Sequence, residues 1–175
     1  LCCSCYSHLE TDDEPKIKNN IKQGCPQSGI ANAGVVYEAP VEGDITRLMG
    51  IFEDYKDLER IGSVRSCRDY YIFYANEFDA IYAHYGQSAF ALPYFEHHLI
   101  DNLNGVKLGK ICYFRSTDRK APHNAYTTYD LLQQGIDKMG YRREYKEDYD
   151  GHYVFVPDGT ENTLPQGTSA QEIHF

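Results

Sequence analysis

The chain has 175 residues, a formal net charge of -9, 42% hydrophobic and 25% charged residues, and 16 tyrosines against no tryptophan. That length and balance suit one soluble domain of ordinary size with a tail, and they exclude a disordered chain. The acidic balance excludes a general affinity for nucleic acid or an anionic membrane, because phosphate contacts require a basic face; any anion site has to be a local cluster of arginines.

Residues 1–22 open with Leu-Cys-Cys-Ser-Cys and continue through the polar run Thr-Asp-Asp-Glu-Pro. They are predicted to be a truncated signal or lipid-anchor remnant followed by a tether. Cys2 and Cys5 have C-x-x-C spacing, but no second pair completes a four-ligand zinc site, so no metal is expected. No apolar stretch is long enough to span a bilayer.

The domain proper is predicted over 23–156, and it opens on the turn Cys25-Pro-Gln-Ser-Gly29. Strands at 35–38 and 45–52 flank Pro40 and Gly43, which predicts a hairpin. Within 45–52, Ile45, Arg47, Met49 and Ile51 share one face while Thr46, Leu48, Gly50 and Phe52 share the other. Both faces are largely apolar, which predicts an interior strand. A strand or turn at 62–66 leads into a helix at 69–78, capped by Asp69, with Tyr70, Tyr71, Tyr74 and Phe78 on one face. A strand at 79–85 follows, then a helix at 93–101 begun by Pro93, a loop at 102–109, a strand at 110–115 and a polar loop at 119–126. The next helix is capped by Thr127 or Thr128, turns Leu131, Leu132, Gly135, Ile136 and Met139 inward, and ends at Gly140. A last strand is predicted at 152–156, and 157–175 has the composition of a linker toward a missing C-terminal domain. Strands and helices interleave, so the predicted fold class is α/β, a layered mixed sheet with helices packed on it.

Arg65 and Arg68 stand just ahead of a helix, where guanidinium forks grip phosphate or carboxylate bidentately. The alternative is that each pairs structurally with Glu38, Glu42 or Asp69. Cys67 lies between them without an evident base, so it is expected to be buried and inert. His84 and His123 sit beside turn residues, where a histidine serves either as general acid or base or as a brace for the backbone. Glu96-His97-His98 occupies adjacent helical positions that diverge by about 100°, too far apart to share a metal ion. The many tyrosines are expected mainly in the core, with a sugar-stacking platform as the alternative.

Pro26-Gln-Ser-Gly29, Val35-Val-Tyr-Glu-Ala-Pro-Val-Glu-Gly43, Ile45-Thr-Arg-Leu-Met49, Val64-Arg-Ser66 with Arg68, Tyr70-Tyr71, His84 with Gly86 and Ser88, Arg115, and Arg119-Lys-Ala-Pro-His-Asn124 occur in one order. Together they resemble the YerB-like bacterial lipoproteins over about residues 26–129. The resemblance implies an extracytoplasmic, lipid-anchored protein of unknown activity, mostly of Gram-positive bacteria, with an α/β domain followed by a smaller one. Three positions depart from the pattern: Cys25 stands in place of arginine, Asp44 in place of glycine, and Cys67 in place of a small residue.

The expected function is binding of an anionic cell-envelope component, peptidoglycan or a phosphorylated glycan, in an arginine-rich cleft formed by Arg47, Arg65, Arg68 and Arg115 with Asn124. The alternatives are an envelope-assembly enzyme and a structural module without a ligand. The enzyme would draw its catalytic groups from Glu38, Glu42, His84 and His123, by analogy of pattern with LytR-type phosphotransferases. No cofactor and no nucleic-acid partner are expected, and contact with the membrane is expected through the lipid anchor only.

Overall fold

The computed structural model describes residues 2–6, 24–153, 156–157 and 159–160. Its strands are β1 (Cys2–Tyr6), β2 (Val35–Val41), β3 (Ile45–Ile51), β4 (Ile61–Gly62), β5 (Tyr82–His84), β6 (Asn102–Asn104), β7 (Phe114–Arg115) and β8 (Ala125–Thr127). The helices are α1 (Asp69–Glu77), α2 (Leu92–Glu96), α3 (Gly105–Leu108) and α4 (Tyr129–Met139). A five-stranded sheet runs in the order β2-β3-β1-β5-β6, and a three-stranded sheet runs β4-β8-β7.

β2 and β3 form the predicted hairpin in antiparallel register, from Val35 opposite Ile51 to Val41 opposite Ile45. The chain reverses there because Gly43 (φ 86°) and Asp44 (φ 56°) both take left-handed geometry, which glycine adopts freely and aspartate tolerates. The two faces read from the sequence of β3 are the two faces of the sheet. Met49 and Ile51 pack with Tyr71, Ile72 and Ala75 of α1 and with Tyr82, while Phe52 packs with Leu103, Leu132 and Ile136 on the opposite side. Helices therefore cover both faces of a mixed sheet, as the α/β class requires.

Cys2–Tyr6, predicted as part of the signal or lipid-anchor remnant, is a strand. It lies inside the large sheet, antiparallel to β3 and parallel to β5. Cys-Cys-Ser-Cys-Tyr carries no charge, glycine or proline, so nothing in it opposes backbone pairing on both edges. The predicted tether, through residue 22, lies outside the described residues, as do most of the predicted linker at 157–175 and two residues of the strand predicted at 152–156. His152 and Tyr153 are described and are not in a strand.

α1 begins as predicted, but Arg68 rather than Asp69 is its N-cap, and Asp69 sits in the first turn, where its charge complements the helix dipole. α2 is shorter than predicted and stops at Glu96; His98 follows at φ 54° and turns the chain away. The predicted loop at 102–109 holds β6 and α3 instead. Asn104 both ends the strand and caps the helix, its Oδ1 accepting from the Val106 N–H at 2.9 Å. The predicted strand at 110–115 begins as a 3-10 turn (Gly109–Ile111), and only Phe114–Arg115 pairs. Part of the predicted loop at 119–126 is β8. α4 has the predicted bounds, with Thr128 as cap and Gly140 closing it at φ 67°, and buries Leu132, Gly135 and Ile136 as predicted, but Met139, in its last turn, is exposed rather than turned inward. Among the described residues no helix is long and apolar enough to cross a membrane.

Candidate functional site

The backbone from Val64 to Arg68 is stitched to two different strands. Val64 N–H donates to Ala125 of β8 at 2.7 Å, and Cys67 N–H donates to Gly86, just past β5, at 2.9 Å. Two further bonds fix the second edge, Tyr85 N–H to Arg65 at 2.9 Å and Ser88 N–H to Cys67 at 3.0 Å. This short segment joins the two sheets and sets where Arg65 and Arg68 emerge.

The predicted site residues fall into three groups. Arg68 turns back onto the hairpin, where its Nε lies 2.9 Å from each Glu42 carboxylate oxygen. The hydrogen bonds from Arg68 hold the Glu42 carboxyl below its ordinary range. Glu38 lies on the exposed side of β2 and accepts from Thr46 Oγ1 at 2.5 Å. These two carboxylates therefore serve the hairpin, and the structural alternative for Arg68 is the one observed.

The second group lies in the core. Arg47 is 2% exposed and donates through Nη1 to the Ser66 carbonyl, so it braces the 64–68 segment from beneath. His84 is fully buried and stacks on Phe95 with ring centroids 4.7 Å apart. Its Nδ1 lies 2.7 Å from the Gly86 carbonyl oxygen, which can only accept, so Nδ1 carries the proton in the neutral ring. Nε2 lies 3.1 Å from Asn102 Oδ1, and in the neutral ring it accepts there only with the Asn102 amide turned to present its NH2 group. Burial drives its pKa down. A ring with both nitrogens engaged and no solvent path holds the end of β5 in place, so His84 is not placed to exchange protons with a substrate. Cys67 is likewise fully buried, and burial pushes its thiol up to about 12, as expected of an inert cysteine.

The third group comes together at the surface. Arg65 donates through Nη1 to the carbonyl of Pro122, the residue before His123. Arg115, exposed on β7, donates to Asn124 Oδ1 at 2.7 Å and lies over the Tyr85 ring with its Cζ 4.7 Å from the centroid. Asn124 is fixed in turn by donating to the Ser116 carbonyl at 3.0 Å. Arg119 joins them, anchored by bonds to the carbonyls of Gly24 at 3.0 Å and Pro26 at 2.8 Å. Burial lowers the pKa of His123 first, and the positive charges of Arg65 and Arg119 lower it further. Among the described residues neither Arg115 nor Arg119 meets a carboxylate.

The arrangement places three guanidinium groups, an amide and an imidazole around one loop of an acidic protein. It suits recognition of a phosphate or carboxylate, with the Tyr85 face holding one guanidinium plane. Arg119 and Tyr85 are absent from the sequence-derived set. Arg119 was signalled by its place in Arg119-Lys-Ala-Pro-His-Asn124; nothing local to Tyr85 marks it, because its partner arrives through sheet pairing.

Residues 16–142 match the model of the family described as "Protein of unknown function (DUF3048) N-terminal domain". The Bacillus subtilis (strain 168) protein named "Putative lipoprotein YerB" is 37% identical over 126 residues, covering 72% of this chain and 38% of that protein. The crystal structure of YerB from Bacillus subtilis superposes with a TM-score of 0.71 at 32% identity, over 83% of this chain and 46% of that one. The chain thus spans less than half the length of the relatives it matches. With the family match covering most of its length and the fold shared with a solved relative, this chain belongs to the DUF3048 family, over that family's N-terminal domain.

Proposed function

We propose that this protein is an extracytoplasmic lipoprotein, held at the membrane by a lipid anchor, that binds an anionic cell-envelope component at the cluster of Arg65, Arg115, Arg119, His123 and Asn124. Peptidoglycan or a phosphorylated glycan fits that chemistry. The name of the Bacillus subtilis relative supports the lipoprotein reading. The observation that carries the binding reading is electrostatic. In a chain of net charge -9, Arg65 and Arg119 both act on His123, Arg115 holds the next residue, Asn124, and neither Arg115 nor Arg119 meets a carboxylate among the described residues. A carboxylate or phosphate entering there would gain bidentate guanidinium bonds and relieve the mutual repulsion of the cations.

The test is a titration of the purified chain with muropeptides, and separately with inorganic pyrophosphate, by calorimetry at two ionic strengths. Binding should weaken as salt rises and fall about tenfold in Arg115→Ala, the loss of one charged hydrogen-bonding group. Arg115→Lys should recover only part of it, because an ammonium keeps the charge but lacks the fork. Absence of binding to either probe, or binding that Arg115→Ala and Arg119→Ala leave intact, would sink the proposal.

A further inference from the structure

At the C-terminal end of β3, away from the basic cluster, a cleft of about 440 Å³ opens between α4, the end of α1 and residues 142–145. Its size falls within the ~300–1,000 Å³ typical of small-molecule sites. The wall is aromatic: Tyr55 and Tyr129 lie with ring centroids 5.2 Å apart, and Phe52 packs edge-on against Tyr55 at 6.5 Å. The rim is a connected set of polar groups. Gln133 Nε2 donates to the Tyr55 hydroxyl at 3.2 Å, Arg143 donates to Gln133 Oε1 and to Asp137, and Tyr145 donates to Glu53 at 3.2 Å. Acids and bases nearly balance in the lining, with Glu53, Asp79 and Glu144 against Arg142 and Arg143, and Arg142 is already paired with Asp79.

We infer that this cleft is a second binding site, for a neutral saccharide of one or two rings. An anion would find no net positive field here, and a cation would find Asp79 already paired with Arg142 and Lys146 and Glu53 engaged by Tyr145. A purely apolar ligand would leave the amide, guanidinium and carboxylate of the rim facing hydrocarbon, which is costly. A sugar ring meets both demands. Its C–H face packs on a tyrosine ring, and its hydroxyls, each donor and acceptor, exchange with the rim bonds that join Gln133 to Arg143 and Tyr145 to Glu53. The site is separate from the arginine cluster and does not depend on it.

The experiment is an NMR titration of the full chain with glucose, N-acetylglucosamine and their β-1,4-linked disaccharides, each to about 10 mM, since a ligand of this size and contact density binds in the millimolar range. Shifts should concentrate at Tyr55, Tyr129 and Gln133. Gln133→Ala, on the outer side of a helix, and Tyr145→Ala, on an exposed position, should each weaken binding about five- to tenfold, whereas Arg115→Ala should leave it unchanged. No shift with any of the four sugars, or shifts that both cleft variants leave intact, overturns the inference. Binding lost in Arg115→Ala and kept in Gln133→Ala also overturns it, by moving the sugar to the basic cluster.

Discussion

A guanidinium beside an imidazole makes the imidazole harder to protonate, and His123 has two such neighbours in Arg65 and Arg119. Burial acts in the same direction and is the larger cause. Removing one of those charges should therefore raise the His123 pKa without restoring it fully. In Arg119→Gln, a pH titration of the His123 ring protons by NMR should show the midpoint moving up, and an anion bound to the wild-type cluster should move it up as well. A His123 midpoint indifferent to both would mean that the cations do not share one field with it. His84 serves as the internal control, because burial sets its lowered pKa and, among the described residues, the charge that adds to it is Lys107, away from the cluster's arginines. The two histidines look alike in the sequence, each beside turn residues. What separates them is Phe95 and Asn102, brought to His84 by α2 and β6, and short elements of that kind leave little periodic trace.

At the scale of elements, α4 is where local signals agree most closely with the fold. Thr128 Oγ1 accepts from the Leu131 N–H at 3.3 Å, so Thr128→Ala should cost about 1 kcal/mol in a urea-unfolding comparison. Gly135 is a sharper case, because alanine is the better helix former by about 1 kcal/mol. A Cβ at this position, however, would fall well inside van der Waals contact distance of the buried Cys112 Sγ and crowd Leu103. Overpacking of a tight core costs about 1–3 kcal/mol, so Gly135→Ala should destabilise despite its helix propensity, and Gly135→Ala combined with Cys112→Ala should recover most of the loss. The hairpin, α1 and α4 were legible because each carries its own period, turn or cap. β1, β6 and β8 were not, since pairing partners far along the chain make strands of three to five residues that no local pattern requires. The candidate site inherits this split. Arg65 and Arg68 announced themselves by spacing, yet the division of labour between them follows from Glu42 reaching one and the Pro122 carbonyl reaching the other across the fold.

Over the whole molecule, acid should weaken the fold in two stages that different residues govern. His84 is buried neutral and its pKa is depressed below the ordinary 6.5, so the unfolded chain binds a proton that the native chain refuses. The stability this contributes is fully present above pH 6.5 and is lost as pH falls below it, at a slope of up to about 1.4 kcal/mol per pH unit for one proton. The second stage belongs to carboxylates. Burial raises the pKa of Asp79, but hydrogen bonds from the Lys146 backbone and side chain and from Arg142 outweigh it, and the net shift is downward. Glu42 is lowered by Arg68. Stability from these groups is present above their ordinary values of 3.8 and 4.5 and disappears as pH falls through the lower native ones. Asp79 also joins distant parts of the chain, because Arg142 and Lys146 tie the segment after α4 to the residue that follows α1. Urea midpoints measured from pH 8 to pH 3 should therefore decline first below about pH 6.5 and again in the carboxylate range. His84→Gln should lower the plateau and reduce the first decline, of which His123 holds a further share, while Asp79→Asn should cost about 2 kcal/mol at neutral pH, the scale of a hydrogen bond to a charged group, and flatten the second. A first decline as steep in His84→Gln as in the wild type would mean that this buried ring is not what acid attacks, and His123, whose pKa is also lowered, accounts for any remainder.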